Sequence, residues 1–128
     1  MPDLKLRYPQ SHVLPSALRQ KLRLSRIYVD LTRELMTMAF NGKDGADIEA
    51  LLVLLCIFVG DAEGRSTTAT KIASHSGLAR QSVYRRLNLL IDLGKVVKSG
   101  RNYYLAQGAA VADEKGRLSR ILNNYWRK

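Results

Sequence analysis

The chain has 128 residues, of which 46% are hydrophobic, and it carries 21 Lys and Arg against 11 Asp and Glu. That length and apolar content fit a single globular domain and exclude a disordered chain, and no apolar run reaches the roughly 18–20 residues of a membrane-spanning helix. Cys56 is the only cysteine, which excludes an internal disulfide. The first residues do not show the basic segment and apolar run of a secretory signal, so we expect a cytoplasmic protein without membrane association.

The first predicted elements are an extended arm and a long helix. Residues 1–15 contain three prolines and little periodicity, which is typical of an extended segment. Ser16 can cap a helix that runs to about Asn41, because apolar residues recur there at steps of three and four. A helix of about 25 residues is longer than a small domain usually covers, so its apolar stripe is expected to pack on a second chain. The stripe consists of Leu24, Ile27, Leu31, Leu35 and Met38.

A second helix is predicted to form the centre of the core. The segment Asn41–Asp47 is a turn, and Asp47 can cap the helix that follows. Residues Ile48–Val59 are apolar on nearly every face, which indicates a buried helix. We expect Gly60 to end it.

Two further helices follow, joined by a tight turn. Arg65–Thr68 contains two β-branched threonines, so a small strand is possible there. Thr67 or Thr68 can cap a short helix that ends at about Ser76. Gly77 and Leu78 then turn the chain. The next helix is predicted from about Ala79 to Leu93, with Gly94 as its stop.

A hairpin and a last helix complete the chain. The runs KVVK and NYYLA have the composition of strands, and Ser99-Gly100-Arg101 joins them as a turn. The final helix is predicted over about residues 110–125, with an apolar stripe that includes Leu118 and Ile121.

The stretch TATKIASHSGLARQSVYRRLNLLIDLGKVVKSGRNYYL resembles a winged helix-turn-helix domain. It has a four-residue step from Ala73 to Gly77, Leu78 after the glycine, an inward Val83, and an LxxLGKV ending before the hairpin. With its long flanking helices, the whole chain resembles a compact MarR-type bacterial regulator, although Ser76 and Ala79 replace the apolar residue and the Ser or Thr cap that are usual there.

The resemblance implies a mainly α fold with a small β-hairpin wing and long flanking dimerisation helices. Its parts would be an N-terminal dimerisation helix (16–46), a winged helix-turn-helix core (47–106) and a C-terminal helix (107–128). It also implies double-stranded DNA as the partner of a homodimer. A small-molecule effector is implied by the family alone, since no residue pattern identifies one.

The residues themselves also favour a nucleic-acid partner. Residues 65–101 carry 8 basic residues and 1 acidic residue, and such a concentration suits a polyanion because phosphate binding releases counterions. At about 100° per residue, one side of the Ala79–Leu93 helix is apolar and the other carries groups that suit base edges. The apolar side comprises Val83, Leu87, Leu90 and Ile91, and the opposite side comprises Gln81, Ser82, Arg85 and Asn88.

We therefore predict twelve DNA contacts, which come from the Ala79–Leu93 helix, the start of the short helix and the hairpin. Gln81, Ser82 and Arg85 would read bases, and Arg80, Tyr84 and Arg86 would contact phosphates. Arg65, Thr68, Thr70 and Lys71 would hold the backbone near the start of the short helix, and Lys98 and Arg101 would extend from the hairpin, with Arg101 in the minor groove.

No residue pattern predicts catalysis, a metal or a cofactor. His12 and His75 lie far apart without other ligands at metal-binding spacing, and no phosphate-binding loop or nucleophile motif is present. Cys56 sits in an apolar run and is expected to have a packing role. We therefore expect a bacterial transcriptional regulator that is not an enzyme. The alternatives are a phage or plasmid DNA-binding factor and a winged-helix protein-interaction module that does not bind DNA.

Overall fold

A computed structural model describes residues 15–40, 45–106 and 117–126, and it is mainly helical with one small antiparallel hairpin. The predicted arm over residues 1–15 (Pro15 excepted) and the predicted start of the last helix lie outside the described residues. The elements, in chain order, are α1 (Ser16–Phe40), α2 (Ile48–Ala62), α3 (Ala69–Ser76), α4 (Arg80–Asp92), β1 (Val96–Ser99), β2 (Asn102–Leu105) and α5 (Arg117–Trp126).

The predicted extent of α1 is confirmed to within one residue, but its cap is different. The backbone N–H of Arg19 donates to the carbonyl of Pro15 at 2.9 Å, so Pro15 holds the cap position and Ser16 is already helical. The Ser16 hydroxyl instead accepts a hydrogen bond from the Arg19 guanidinium at 3.2 Å. At the other end, Ala39 and Phe40 are buried in the core.

The Asp47 cap of α2 is confirmed, whereas the predicted break at Gly60 is wrong. Oδ1 of Asp47 accepts a hydrogen bond from the backbone N–H of Ala50 at 2.9 Å. The helix continues through Gly60 to Ala62, because an internal glycine costs a helix only about 1 kcal/mol and this one is buried against Thr67.

The core is built around α2, which contacts α1, α3, α4 and β2. One side of α2 nevertheless remains uncovered in the described part of the chain. The expectation that this helix is buried on nearly every face is therefore corrected, because its packing partners cover only part of its circumference. Its exposed large apolar residues are Ile48, Leu52, Phe58 and Val59.

The junction of α3 and α4 follows the predicted pattern. Oγ1 of Thr68 caps α3 by accepting from the backbone N–H of Lys71 at 3.2 Å. Gly77 ends α3 with a left-handed φ of 79°, a conformation that favours glycine. Ser76 supports the turn, since its hydroxyl accepts from the backbone N–H of Leu78 at 3.1 Å. Ala79 begins α4 without a side-chain cap.

The two predicted strands are confirmed. The first residue of the second strand, next to the hairpin turn, pairs with the cap residue of α3. β1 and β2 pair antiparallel with Val97 opposite Tyr104 and Ser99 opposite Asn102. The predicted strand at Arg65–Thr68 is reduced to one bridge, from Thr68 to Asn102, next to a hydrogen bond from the N–H of Tyr103 to the carbonyl of Thr67 at 2.8 Å.

The last described helix, α5, packs on α1 within the same chain. This contact covers part of the α1 stripe from Ile27 onward, where the side chains are half-buried. Leu24 and Tyr28 stay well exposed, at 65% and 63%. The first half of α1 therefore projects from the rest of the described chain.

Candidate nucleic-acid interface

The α4 helix separates its apolar and polar side chains as its sequence predicts. Val83, Leu87 and Leu90 have no exposed surface, because they pack into the core. Ile91, the fourth residue of the predicted core face, is half-buried, as is Ser82 on the predicted outer face. The exposed face comprises Arg80, Gln81, Tyr84, Arg85 and Asn88.

This face presents cations, amides and one phenol without a nearby acid of the same helix until Asp92 in its last turn. Arginine and glutamine in this arrangement can make paired hydrogen bonds to purine edges in a major groove. Because Ala79 supplies no cap, the first backbone N–H groups of α4 also lack a side-chain acceptor.

Arg86 is directed away from this face toward the start of α2. Its Nη2 lies 2.5 Å from Oδ2 of Asp47 and 3.1 Å from Oε1 of Glu49. The hydrogen bond from Arg86 holds the pKa of Asp47 below its ordinary value, so this carboxylate is ionised at neutral pH. Arg86 therefore ties α4 to the capped end of α2, a role that the sequence did not indicate.

The predicted contacts near the start of α3 lie close together. The Thr68 hydroxyl serves the cap and is half-buried, while Thr70 is exposed on the first turn. The Lys71 ammonium donates to the side chain of Ser66 at 3.1 Å and to its carbonyl at 3.4 Å, which holds the charge over this end of the helix. Hydroxyls, an ammonium and free helix N–H groups are suited to phosphate oxygens.

Arg65 is the second predicted cation that is ion-paired within the chain. Its guanidinium lies 2.6 Å from the carboxylate of Glu63, and both side chains are about half exposed. A surface pair of this kind adds little stability, so Arg65 can exchange this partner for a phosphate.

The hairpin places two further cations in solvent. Arg101 follows Gly100, whose φ of 62° forms the tip. Lys98 stands with its ammonium 5.8 Å from the ring centroid of Tyr103, which is buried. Asn102 in β2 forms a bridge to Thr68 and so lies beside the start of α3. It was not among the predicted contacts, because no local sequence signal indicates this pairing.

The predicted cations thus divide into two sets. Arg65 and Arg86 are ion-paired, whereas Lys71, Arg80, Arg85, Lys98 and Arg101 take part in no ion pair within residues 15–40, 45–106 and 117–126. The second set retains its full charge for a polyanion.

Other chemistry is sparse in the described part of the chain. No group of three or more His, Cys, Asp and Glu there could hold a metal ion, and none of its helices is long and apolar enough to cross a bilayer. Cys56 is half-buried rather than fully enclosed, and burial raises the pKa of its thiol.

Comparison with protein-family models gives no match for this chain, and comparisons with curated proteins and with solved structures give none either.

Proposed function

We propose that this chain is a winged helix-turn-helix protein that binds double-stranded DNA. In this proposal α3 and α4 form the helix-turn-helix and β1–β2 is the wing. Helix α4 enters the major groove, where Gln81, Ser82 and Arg85 read bases and Arg80 and Tyr84 contact phosphates.

The observation that supports the proposal best is the exposed face of α4. Arg80 and Arg85 on this face have no carboxylate partner among the described residues, while Val83, Leu87 and Leu90 on the opposite face are fully buried. The helix is therefore held in the core and open to a polyanion. The start of α3 adds Thr68, Thr70 and Lys71 for the DNA backbone. Arg65 joins them, Lys98 and Arg101 reach from the hairpin, and Arg86 stays in its ion pair.

We further propose that the protein acts as a homodimer and regulates transcription in the bacterial cytoplasm. The flanking helices α1 and α5 would form the dimer, since α1 leaves apolar side chains in solvent. A two-fold dimer presents two α4 helices to half-sites about one DNA turn apart.

Selection of duplexes from a random pool tests the proposal directly. Enrichment of a near-palindromic site is expected, and Arg85→Ala should relax the preference at one position of each half-site at a cost of about 1–3 kcal/mol. The matched control is Arg33→Ala, which removes a 71% exposed guanidinium on α1 and should leave binding unchanged. Equal binding by Arg85→Ala and the intact chain would contradict the groove assignment.

Lys71 tests the phosphate contacts separately from base reading. Lys71→Gln should weaken binding to all duplexes alike and reduce the slope of log K against log salt by about 0.9 per chain. Fluorescence anisotropy over a salt series measures that slope. An unchanged slope would show that Lys71 does not reach a phosphate.

A protein-interaction module is the second candidate, and the uncovered apolar side of α2 favours it. This candidate predicts negligible duplex binding even at low salt, where the DNA-binding proposal predicts its tightest binding. A phage or plasmid DNA-binding factor would behave as the regulator does in these assays and differs only in the site that it selects.

A further inference from the structure

The uncovered side of α2 is a continuous apolar stripe. Ile48, Leu52, Leu55 and Val59 follow one another at steps of four, three and four residues, so they lie along one face. Leu52, Leu55 and Val59, with Cys56, line a groove of about 290 Å³. Exposed apolar surface that is continuous in this way is typical of an interaction site.

Two basic residues lie at the edge of the groove, and one of them is ion-paired. Arg65 and His75 complete its lining, and the Arg65 guanidinium is paired with Glu63 at 2.6 Å. The groove therefore presents an apolar floor rather than a free anion site.

The first half of α1 offers an exposed helical surface that carries apolar side chains. Residues 19–26 of α1 are all exposed, and Leu24 and Tyr28 are 65% and 63% exposed in the described part of the chain. This first half of α1, residues 16–28, has thirteen residues and extends about 20 Å. A helix with one apolar face suits an apolar groove between helices.

The charges of the two surfaces are complementary. The first half of α1 carries four cations before its first acid, Asp30, and the region 45–64 around α2 carries four acids and no base. Arg86 pairs with Asp47 and Glu49, and Arg65 pairs with Glu63. The Asp61 carboxylate accepts a hydrogen bond from the backbone N–H of Leu105. Four acids against these two cations leave a net charge of −2 around α2. Opposite charge around apolar contacts steers association and fixes its register. The cations are Arg19, Lys21, Arg23 and Arg26, and the acids are Asp47, Glu49, Asp61 and Glu63.

We propose that the first half of α1 from a second copy of this chain occupies the α2 groove, and that the contact is made twice by two-fold symmetry. This inference depends on the homodimer of the proposed function. It adds a contact between α1 of one copy and α2 of the other to the contacts between the flanking helices. Leu24 and Tyr28 of one copy would then lie against Leu52, Leu55 and Val59 of the other.

Because Cys56 is the only cysteine and lines the groove, a disulfide between chains tests the proposal. One chain is the intact sequence with an affinity tag; the other is Tyr28→Cys combined with Cys56→Ser. The chains are mixed, refolded together and oxidised with a copper–phenanthroline catalyst at alkaline pH, since burial raises the pKa of the Cys56 thiol. A tagged heterodimer, mapped by mass spectrometry to positions 56 and 28, is the expected product.

The matched control is Arg26→Cys combined with Cys56→Ser, because Arg26 is exposed on the opposite face of α1. The Tyr28→Cys chain should give roughly tenfold more heterodimer, as a docked pair holds its thiols at millimolar effective concentration. Leu24→Cys with Cys56→Ser serves as a second variant on the same stripe. Equal yields from stripe and control positions would overturn the proposal.

A single chain that carries Tyr28→Cys and keeps Cys56 provides a further check. A disulfide within one chain, which runs as a monomer on a non-reducing gel, would show that α1 of the same copy fills the groove and would also overturn the proposal. The readouts need no DNA. Loss of crosslinking with duplex binding intact would reject the interface alone, and crosslinking without duplex binding would reject the proposed function alone.

Discussion

Gly60 shows how one residue connects α2 to the hairpin. A Cβ at this position would collide with Oγ1 of Thr67, a residue that is only 5% exposed. The carbonyl of Thr67 in turn accepts from the backbone N–H of Tyr103 at 2.8 Å. The absence of a side chain at residue 60 therefore lets the segment before α3 pack directly on α2 and hold β2 beside it.

We expect Gly60→Ala to lower the free energy of unfolding by about 1–2 kcal/mol, because the overlap with Thr67 outweighs the gain in helix propensity. Urea denaturation measures this difference. Combining Gly60→Ala with Thr67→Ala should recover most of the loss, since the nearest remaining side-chain atom, Cβ of residue 67, lies 3.5 Å away. A Gly60→Ala chain more stable than the intact one would contradict this account.

The partner of Arg86 could not be predicted from the sequence of α4 alone. It was predicted to contact a phosphate from α4, but its partner in the structure, Asp47, lies 39 residues earlier. No local signal in the sequence pairs these residues. The predicted phosphate contact therefore competes with an ion pair that only the packing of α4 on α2 creates.

Helix and hairpin boundaries that are marked by a glycine or a capping residue were predicted well. Gly77 and Gly94 adopt left-handed backbone conformations beside the ends of α3 and α4, Thr68 and Asp47 make the expected cap hydrogen bonds, and Gly100 lies at the hairpin tip. Each of these features depends on the chemistry of a few neighbouring residues, which is why the sequence was sufficient.

The α2 helix was predicted less well, because its end and its exposure depend on distant residues. Its end moved from Gly60 to Ala62, since the contact with Thr67 accommodates the glycine within the helix. Its apolar stripe was assigned to the core, but periodicity alone does not tell whether an apolar face meets its own chain or another. The same ambiguity applies to Leu24 and Tyr28 on α1.

At the scale of the whole molecule, the uneven charge links the two proposals. Residues 65–101, which include α3, α4, β1 and the turn of the hairpin, carry most of the excess positive charge, whereas residues 34–64 are acidic. A basic surface of this kind suits DNA, and the acidic region around α2 is left to face the basic half of α1. The net charge of +10 remains unbalanced within one chain.

A chain with this net charge should respond to salt in two opposite ways. Raising sodium chloride from about 50 to 200 mM should raise its thermal midpoint, because screening weakens the repulsion among its cations. The same change should weaken duplex binding by about a hundredfold or more if five or more phosphates are neutralised. Differential scanning calorimetry and anisotropy at one fixed protein concentration measure the two effects, because any dimer makes the midpoint depend on concentration.

Potassium chloride serves as the control for ion identity, since screening depends on ionic strength and should give the same curves. A thermal midpoint that falls as salt is added would show that ion pairs such as Arg86–Asp47 outweigh the repulsion. Duplex binding that does not change with salt would be incompatible with phosphate contacts by Arg80, Lys71 and Arg101. The DNA-binding proposal therefore requires duplex affinity to fall across this salt series, whereas the thermal midpoint separately tests the charge repulsion within the chain.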